Sequence, residues 1–111
     1  MTLRERSSVF KALGHPARLM IVDRLAQGER CVCELLEPTE FSKLSGPTVS
    51  QHLLVLKNAG VIADEKRGKK IFYRLRMPCV AEISLCVSSC ETSDPGKITR
   101  RSQRSQASVT A

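Results

Sequence analysis

Two cysteines separated by a single residue, Cys31 and Cys33, give the chain its first candidate for metal chemistry. Thiolates are soft ligands that bind ions such as Zn(II), Cd(II), Pb(II) or Cu(I). In a regular helix, residues two apart point about 200° away from each other, so this pair can bind one ion only where the helix unwinds or bends. Burial as apolar filler and oxidation of the thiols are the alternatives.

Three more cysteines, Cys79, Cys86 and Cys90, lie near the end of the chain. On one helix, Cys86 and Cys90 would place their Cβ atoms about 5–6 Å apart, which suits two ligands of one ion. Cys79 and Cys86 would lie about 10.5 Å apart along a continuous helix, so they cannot share an ion unless Cys79 lies outside that helix. The chain starts without an apolar signal segment, and five cysteines is an odd number. We therefore expect a cytoplasmic protein of bacterial type with reduced thiols, not a disulfide framework.

The composition fits one small, basic domain. The 111 residues are 41% hydrophobic and carry a formal net charge of +7, which suits a modest core. No apolar run approaches the roughly 20 residues of a membrane-spanning helix. Residues 92–111 hold four basic residues and one acidic residue and nearly lack large apolar ones. We predict a domain over residues 1–91 and a basic disordered tail over residues 92–111.

The order of predicted elements positions these residues. Gly14 ends a first helix, and a second helix runs from Pro16 to Gly28. A short third helix covers residues 31–37 and stops at Pro38, and a fourth follows Pro47. Two β-prone runs, residues 61–64 and 71–75, flank a basic turn, and a last helix covers residues 79–90. This order predicts a mainly α fold, a winged helix-turn-helix with a two-stranded β-hairpin wing.

A fold of this kind predicts DNA binding. The major groove of B-DNA admits one α-helix, whose early side chains meet the base edges. The early polar residues of the fourth helix can pair with bases or phosphates, and the basic hairpin can reach backbone phosphates or the minor groove. The predicted DNA-binding residues are Thr48, Ser50, Gln51, His52, Lys57, Lys66, Arg67, Lys69 and Lys70.

Over residues 6–90 the chain resembles the ArsR (ArsR/SmtB) family of bacterial metalloregulatory repressors. The segments that carry the resemblance are FKALGHPARLMIVDRL, CVCEL, PTVSQHLLVLKNAGVI and RGKKIFYRL, in this order. The resemblance implies a homodimer whose first and last helices form the interface. It also implies a repressor, not an enzyme, that leaves its operator when an inducer binds.

The resemblance also bears on the cysteines. CVC followed by an acidic residue and leucine resembles the family's arsenic- and antimony-sensing motif. Some members place a third cysteine three residues after the second, where this chain has Leu36. The third thiolate would then come from elsewhere. Either Cys79 or Cys86 joins Cys31 and Cys33, which we favour, or Cys86 and Cys90, with or without Cys79, form a separate site across the dimer interface.

The inducer predicted on this basis is As(III) or Sb(III), with Cd(II), Pb(II) or Zn(II) as alternatives. The last helix has one acid, Glu82, and no histidine, so it lacks the ligand set of the family's zinc sensors. A redox- or sulfide-responsive repressor of the same fold is the alternative function. An enzyme is disfavoured because CVC is not the CxxC redox spacing and no βαβ pattern surrounds it.

Overall fold

The computed structural model describes residues 1–35 and 43–90. Within these ranges the chain forms five helices and three strands, and the strands make one antiparallel sheet. In chain order the elements are α1 (Leu3–Leu13), α2 (Pro16–Ala26), β1 (Arg30–Cys31), α3 (Val32–Leu35), α4 (Gly46–Asn58), β2 (Ile62–Arg67), β3 (Lys70–Leu75) and α5 (Pro78–Ser89). This is the predicted winged helix-turn-helix, with one strand more than predicted.

Local signals in the sequence explain where the helices begin. Thr2 and Glu5 form a capping box at the start of α1, because each side chain accepts a hydrogen bond from the other's backbone N–H. Ser45 caps α4 by accepting a hydrogen bond from the backbone N–H of Thr48. Proline in the first turn, Pro16 in α2 and Pro47 in α4, costs no hydrogen bond there because the first helical N–H groups lack helical partners anyway.

One apolar core joins these helices to the sheet. Leu56 of α4, Val22 of α2 and Leu35 of α3 are fully buried in it. Val61 and Ile62 bury the start of β2 against the same cluster. Leu54, whose orientation the helical spacing left open, lies 48% exposed on the opposite face of α4. The core thereby fixes which side of α4 faces solvent.

The sheet corrects the prediction for the cysteine segment. Its strand order is β1-β3-β2, with Arg30 opposite Tyr73 and Cys31 opposite Phe72. Cys31 therefore lies on a strand, and the third helix begins one residue later than predicted, at Val32. The predicted end of that helix and the first part of the loop after it fall on residues 36–42, outside the described ranges. The wing turn lies between the two predicted strands, where Arg67 pairs with Lys70 across Gly68, whose φ is +64°.

The last helix was predicted closely and exposes apolar side chains. It covers Pro78–Ser89, against a prediction of residues 79–90. Residues 1–81 form one compact unit, and the part of α5 from Glu82 onward belongs to a second unit. Leu85 and Val87 are about two-thirds exposed or more, at 71% and 68%. The predicted tail and its boundary at residue 91 lie outside the described residues. Within the described residues, no helix is long and apolar enough to cross a bilayer.

His52 of α4 contacts the start of α2. Its ring centroid lies 4.4 Å from that of His15, whose Nδ1 accepts a hydrogen bond from the backbone N–H of Ala17. His52 is partly buried, unlike its neighbours Gln51 and Ser50. Burial lowers the pKa of His52 below its usual value of 6.5, and the positive charge of the nearby His15 and Arg18 lowers it further.

This lowered pKa predicts that the fold loses stability in mild acid. Below about pH 6.5 the unfolded chain takes up a proton at His52 that the folded chain accepts only at lower pH, so protons favour unfolding. The contribution is fully present above about pH 6.5 and is lost as the pH falls through the folded pKa. Urea unfolding should give a lower free energy of unfolding at about pH 5.5 than at about pH 7.5. This difference should be smaller in His52→Gln than in the wild-type protein. An equal fall in both proteins would contradict the effect.

Candidate metal centre and nucleic-acid interface

The junction between β1 and α3 brings the first two cysteines together. The Sγ atoms of Cys31 and Cys33 lie 2.6 Å apart, and both are free thiols. Because the chain leaves the extended strand at Cys31 and enters the helix at Val32, the two side chains do not diverge as they would in a regular helix. Cys31 is 4% exposed and belongs to the protein interior, whereas Cys33 is open to solvent.

Glu34 is the third member of this group, and the sequence reasoning did not assign it a role. Its Oε1 accepts a hydrogen bond from the Cys31 thiol at 2.9 Å and another from the Cys31 backbone N–H at 3.3 Å. Hydrogen bonding with Cys33 and then with Glu34, together with burial, raises the pKa of the Cys31 thiol. The same hydrogen bonds from Cys31 lower the pKa of Glu34. The only sequence signal was an acidic residue directly after CVC.

These three side chains have the chemistry of a metal site. One ligand atom each from Cys31, Cys33 and Glu34 lies within 4.8 Å of the other two. Two thiolates and a carboxylate are donors that suit soft and borderline ions. A backbone contact holds the segment, because Arg24 donates a hydrogen bond to the Glu34 carbonyl oxygen at 2.8 Å. The residues present therefore fit a metal ion of the soft or borderline class.

An open pocket of about 280 Å³ connects the cysteines to the wing. Its walls come from two places, the β1–α3 junction and the start of β3. Lys69, Lys70 and Ile71 line it opposite Cys31, Val32 and Cys33. The two cysteines of the candidate metal centre therefore line the same pocket as Lys69 and Lys70 of the predicted DNA-binding hairpin.

The three other cysteines are all exposed, Cys79 in the first turn of α5 and the other two further along the chain. Among the residues that the structure describes, the group formed by Cys31, Cys33 and Glu34 does not include Cys79. Cys86 lies within α5, and Cys90 follows its last residue, with a backbone N–H that donates to the Val87 carbonyl oxygen. A third thiolate from this region stays a prediction.

The exposed face of α4 presents the predicted base-reading residues. Thr48, Ser50 and Gln51 are exposed, and the Thr48 hydroxyl lies 2.8 Å from that of the N-cap Ser45. Leu54 lies one turn after Ser50 on the same exposed face, which the apolar pattern alone had not placed there. An exposed apolar side chain of this kind can contact a thymine methyl group.

The predicted basic residues differ in what they contact. Lys66, Lys69 and Lys70 are exposed on the wing. Lys57 pairs with Asp64 at 3.0 Å and joins the end of α4 to β2. The remaining predicted contact, Arg67, is held more firmly than the lysines.

Arg67 anchors the wing to the segment before β1. Its two guanidinium NH groups donate to both carboxylate oxygens of Glu29, and one also donates to Glu65 at 2.8 Å. The guanidinium carbon lies 5.0 Å from the centroid of the Phe72 ring. Such bidentate pairing fixes the orientation of an arginine. The sequence predicted that Arg67 contacts DNA phosphate, and the structure adds an ion pair between Arg67 and Glu29.

Known proteins share this fold and much of this sequence. Residues 15–64 match the family model described as "Bacterial regulatory protein, arsR family". The arsenical resistance operon repressor of Staphylococcus xylosus is 36% identical over 96 residues, which is 86% of this chain and 89% of the relative.

Solved structures agree. The transcriptional repressor BigR from Xylella fastidiosa superimposes with a TM-score of 0.69 at 33% identity, covering 82% of this chain and 90% of BigR. The homodimeric winged helix-turn-helix DNA-binding domain of Mb0332 from Mycobacterium bovis gives a TM-score of 0.66 at 32% identity, with 78% of each chain covered. The resemblance seen in the sequence is confirmed, and the chain belongs to the arsR family of DNA-binding transcriptional regulators.

Proposed function

We propose that the chain is a transcriptional repressor that leaves its operator when As(III) or Sb(III) binds to cysteine thiolates in the cytoplasm. The observation that carries the proposal is the direct contact between the Cys31 and Cys33 sulfurs in a pocket shared with the wing. Trivalent arsenic favours three thiolates in a pyramid. Cys79 or Cys86 would supply the third, and Cd(II), Pb(II) or Zn(II) are further candidate ions.

The proposed DNA contacts divide between α4 and the wing. Thr48, Ser50 and Gln51 would face the bases of one major groove, with His52 contributing from its partly buried position. The cations Lys57, Lys66, Arg67, Lys69 and Lys70 would contact backbone phosphates. Two α4 helices in a dimer would lie in successive major grooves, about one turn of DNA apart, so the operator should be an imperfect palindrome.

A homodimer is supported by the exposed apolar residues of the first and last helices. Leu3 and Phe10 of α1 are 76% and 59% exposed, and Leu85 of α5 is 71% exposed. Exposed apolar patches on a small domain mark interaction surfaces. The Mb0332 domain, a structural neighbour, is homodimeric.

The proposed route from inducer to DNA runs through the sheet. Cys31 is paired to Phe72 of β3, and the next residues back along β3 line the sulfur pocket. A ligand that draws the two sulfurs into one coordination shell would shift β1, and with it the wing lysines. Allosteric coupling of this kind typically amounts to about 1–3 kcal/mol.

A second candidate function is redox sensing, favoured by the closeness of the two free thiols. A peroxide could oxidise Cys31 and Cys33 to a disulfide: the two thiols lose two electrons and two protons, and the peroxide is reduced to water. Operator release measured with As(III) under strictly reducing conditions, and with hydrogen peroxide in the absence of metal, separates the two functions. Release by peroxide alone would favour the second.

Gln51→Ala should weaken operator binding by about 1–3 kcal/mol and relax the base preference at one operator position, because glutamine pairs bidentately with adenine. Fluorescence anisotropy with a panel of single-base operator variants measures both effects. The matched control is Gln27→Ala, which removes a glutamine from the end of α2. Unchanged affinity and preference in Gln51→Ala would mean that this residue reads no base.

Lys69→Ala should weaken binding to specific and non-specific DNA alike and lower the slope of log affinity against log salt by about one. The reason is that a phosphate contact releases counterions without reading sequence. Lys11→Ala, which removes an exposed lysine from α1, controls for net charge. A wild-type salt slope in Lys69→Ala would show that the wing lysine does not contact phosphate.

Cys31→Ser and Cys33→Ser should each keep operator affinity near wild type and abolish release by As(III), because a serine hydroxyl is no thiolate at neutral pH. Cys31→Ser should also lower stability by roughly 1–3 kcal/mol, since its hydroxyl would be buried. Operator release against As(III) concentration, with thermal unfolding in parallel, gives both results. The single variants Cys79→Ser, Cys86→Ser and Cys90→Ser identify the third ligand. A Cys31→Ser/Cys33→Ser double variant that still releases DNA at wild-type As(III) concentrations refutes the proposed site.

A further inference from the structure

We infer that His15, Arg18 and His52 form a phosphate-binding cluster that contacts the DNA backbone beside α4. The inference rests on the operator binding in the proposed function and does not depend on the inducer. It adds the start of α2 to a DNA interface whose predicted contacts lie on α4 and the wing alone.

The three side chains of this cluster come together and offer hydrogen-bond donors. The ring centroids of His15 and His52 lie 4.4 Å apart, and Arg18 is near enough for its charge to act on His52. The His15 Nδ1 accepts a hydrogen bond from the backbone N–H of Ala17 at 3.1 Å. The proton of the neutral His15 ring therefore lies on Nε2, which is left as a donor for a bound group.

Arg18 supplies a cation that the protein itself does not pair. Its Nε is buried and has no hydrogen-bond partner among the described residues. Buried polar groups are nearly always hydrogen-bonded, so an unpaired one calls for a partner. Because no hydrogen bond ties this atom, the guanidinium group can turn towards an acceptor from outside the chain. Guanidinium groups match the geometry of phosphate oxygens.

The charge of the cluster is not balanced within the described residues. Burial, and then the charges of His15 and Arg18 from α2, lower the pKa of His52. No charged group of α1 or β2, which also pack against α4 in the described chain, acts on His52. An anion bound among these three side chains would relieve the repulsion and favour the protonated form of His52. A phosphate is an anion with the acceptor oxygens that such donors need.

The position of His52 on α4 favours the DNA backbone as the source of this phosphate. His52 lies one turn after Thr48, between the exposed Gln51 and the buried Leu53, and so at the edge of the exposed face. A helix with its side chains is about 10–12 Å across, and the major groove of B-DNA is about 12 Å wide. When such a helix fills the groove, the edges of its exposed face meet the phosphate backbones. The cluster would then contact a phosphate while Gln51 faces the bases.

The first test uses a DNA duplex selected from random sequence by the full-length wild-type protein. Arg18→Gln should weaken binding about tenfold or more, because a hydrogen bond to a charged group is lost. It should also lower the slope of log affinity against log salt by about one. Arg18→Lys, which keeps the charge, should recover most of the slope. Arg4→Gln, which removes an exposed arginine from α1, should keep the wild-type slope. A wild-type slope in Arg18→Gln overturns the inference.

A second test locates the phosphate on the DNA. Single phosphates of the duplex are replaced by uncharged methylphosphonates, and the affinity of each duplex is measured. One replacement should weaken binding by the wild-type protein and cause little further loss in Arg18→Gln or His52→Gln, because the contact is already gone. Losses that add at every position would show that these residues and the phosphates share no contact, and would overturn the inference.

A third test needs no change at Arg18. Because a phosphate favours the protonated form of His52, wild-type affinity for the duplex should rise about threefold or more from pH 7.5 to pH 6.0. The chain has two histidines, and both belong to the cluster. The rise should be much smaller in His52→Gln, and an equal rise in both proteins overturns the inference.

Inorganic phosphate distinguishes a DNA phosphate from a free anion. Suppose that it shifts the imidazole NMR signals of both histidines in the DNA-free protein, while no methylphosphonate couples to Arg18. The cluster would then bind a small anion, and the inference would be wrong. If the wild-type protein selects no DNA sequence at all, the proposed function fails, and this inference fails with it. Every other contrary outcome leaves operator binding intact and removes only the cluster from the interface.

Discussion

The antiparallel pairing of two residues, Arg30 and Cys31, with Tyr73 and Phe72 is the contact on which the rest of the arrangement depends. It makes the cysteine segment a third strand of the wing. Without this pairing, the sulfurs would belong to a loop and short helix with no tie to a DNA-binding element. With it, backbone hydrogen bonds link Cys31 to β3, so a displacement of Cys31 would also displace β3.

The contacts of Arg67 around this pairing are individually weak. Arg67 reaches Glu29 and Glu65 from a half-exposed position, and exposed ion pairs are worth roughly 0–1 kcal/mol each. The stacking of Arg67 on Phe72 adds about as much at an exposed site. Their sum is comparable to a typical allosteric coupling energy of about 1–3 kcal/mol. These contacts are therefore weak enough for the proposed ion binding to shift the wing.

The sequence predicted correctly those elements whose apolar residues recur at helical or strand spacing. The helical spacing of Val49, Leu53 and Leu56 and the strand–turn–strand run of the wing gave α4 and the hairpin, and the family resemblance agrees with the comparisons. The strand at Cys31 was missed because two residues carry no period and their partners lie far along the chain. Glu34 was missed because an acid on a short helix usually means a solvated face. The contact of Arg67 with Glu29 could not be read locally either, since it joins segments brought together only by the sheet.

The unequal exposure of the two cysteines implies an order of events for the proposed ion binding. An ion would meet Cys33 first, because Cys33 is exposed and Cys31 is buried. Capture would then have two stages, a reversible encounter at the outer sulfur and a transfer to the inner one. Thiol compounds would compete more readily with the first stage than with the second. An ion that completed both stages would leave slowly, so the response would outlast a brief exposure.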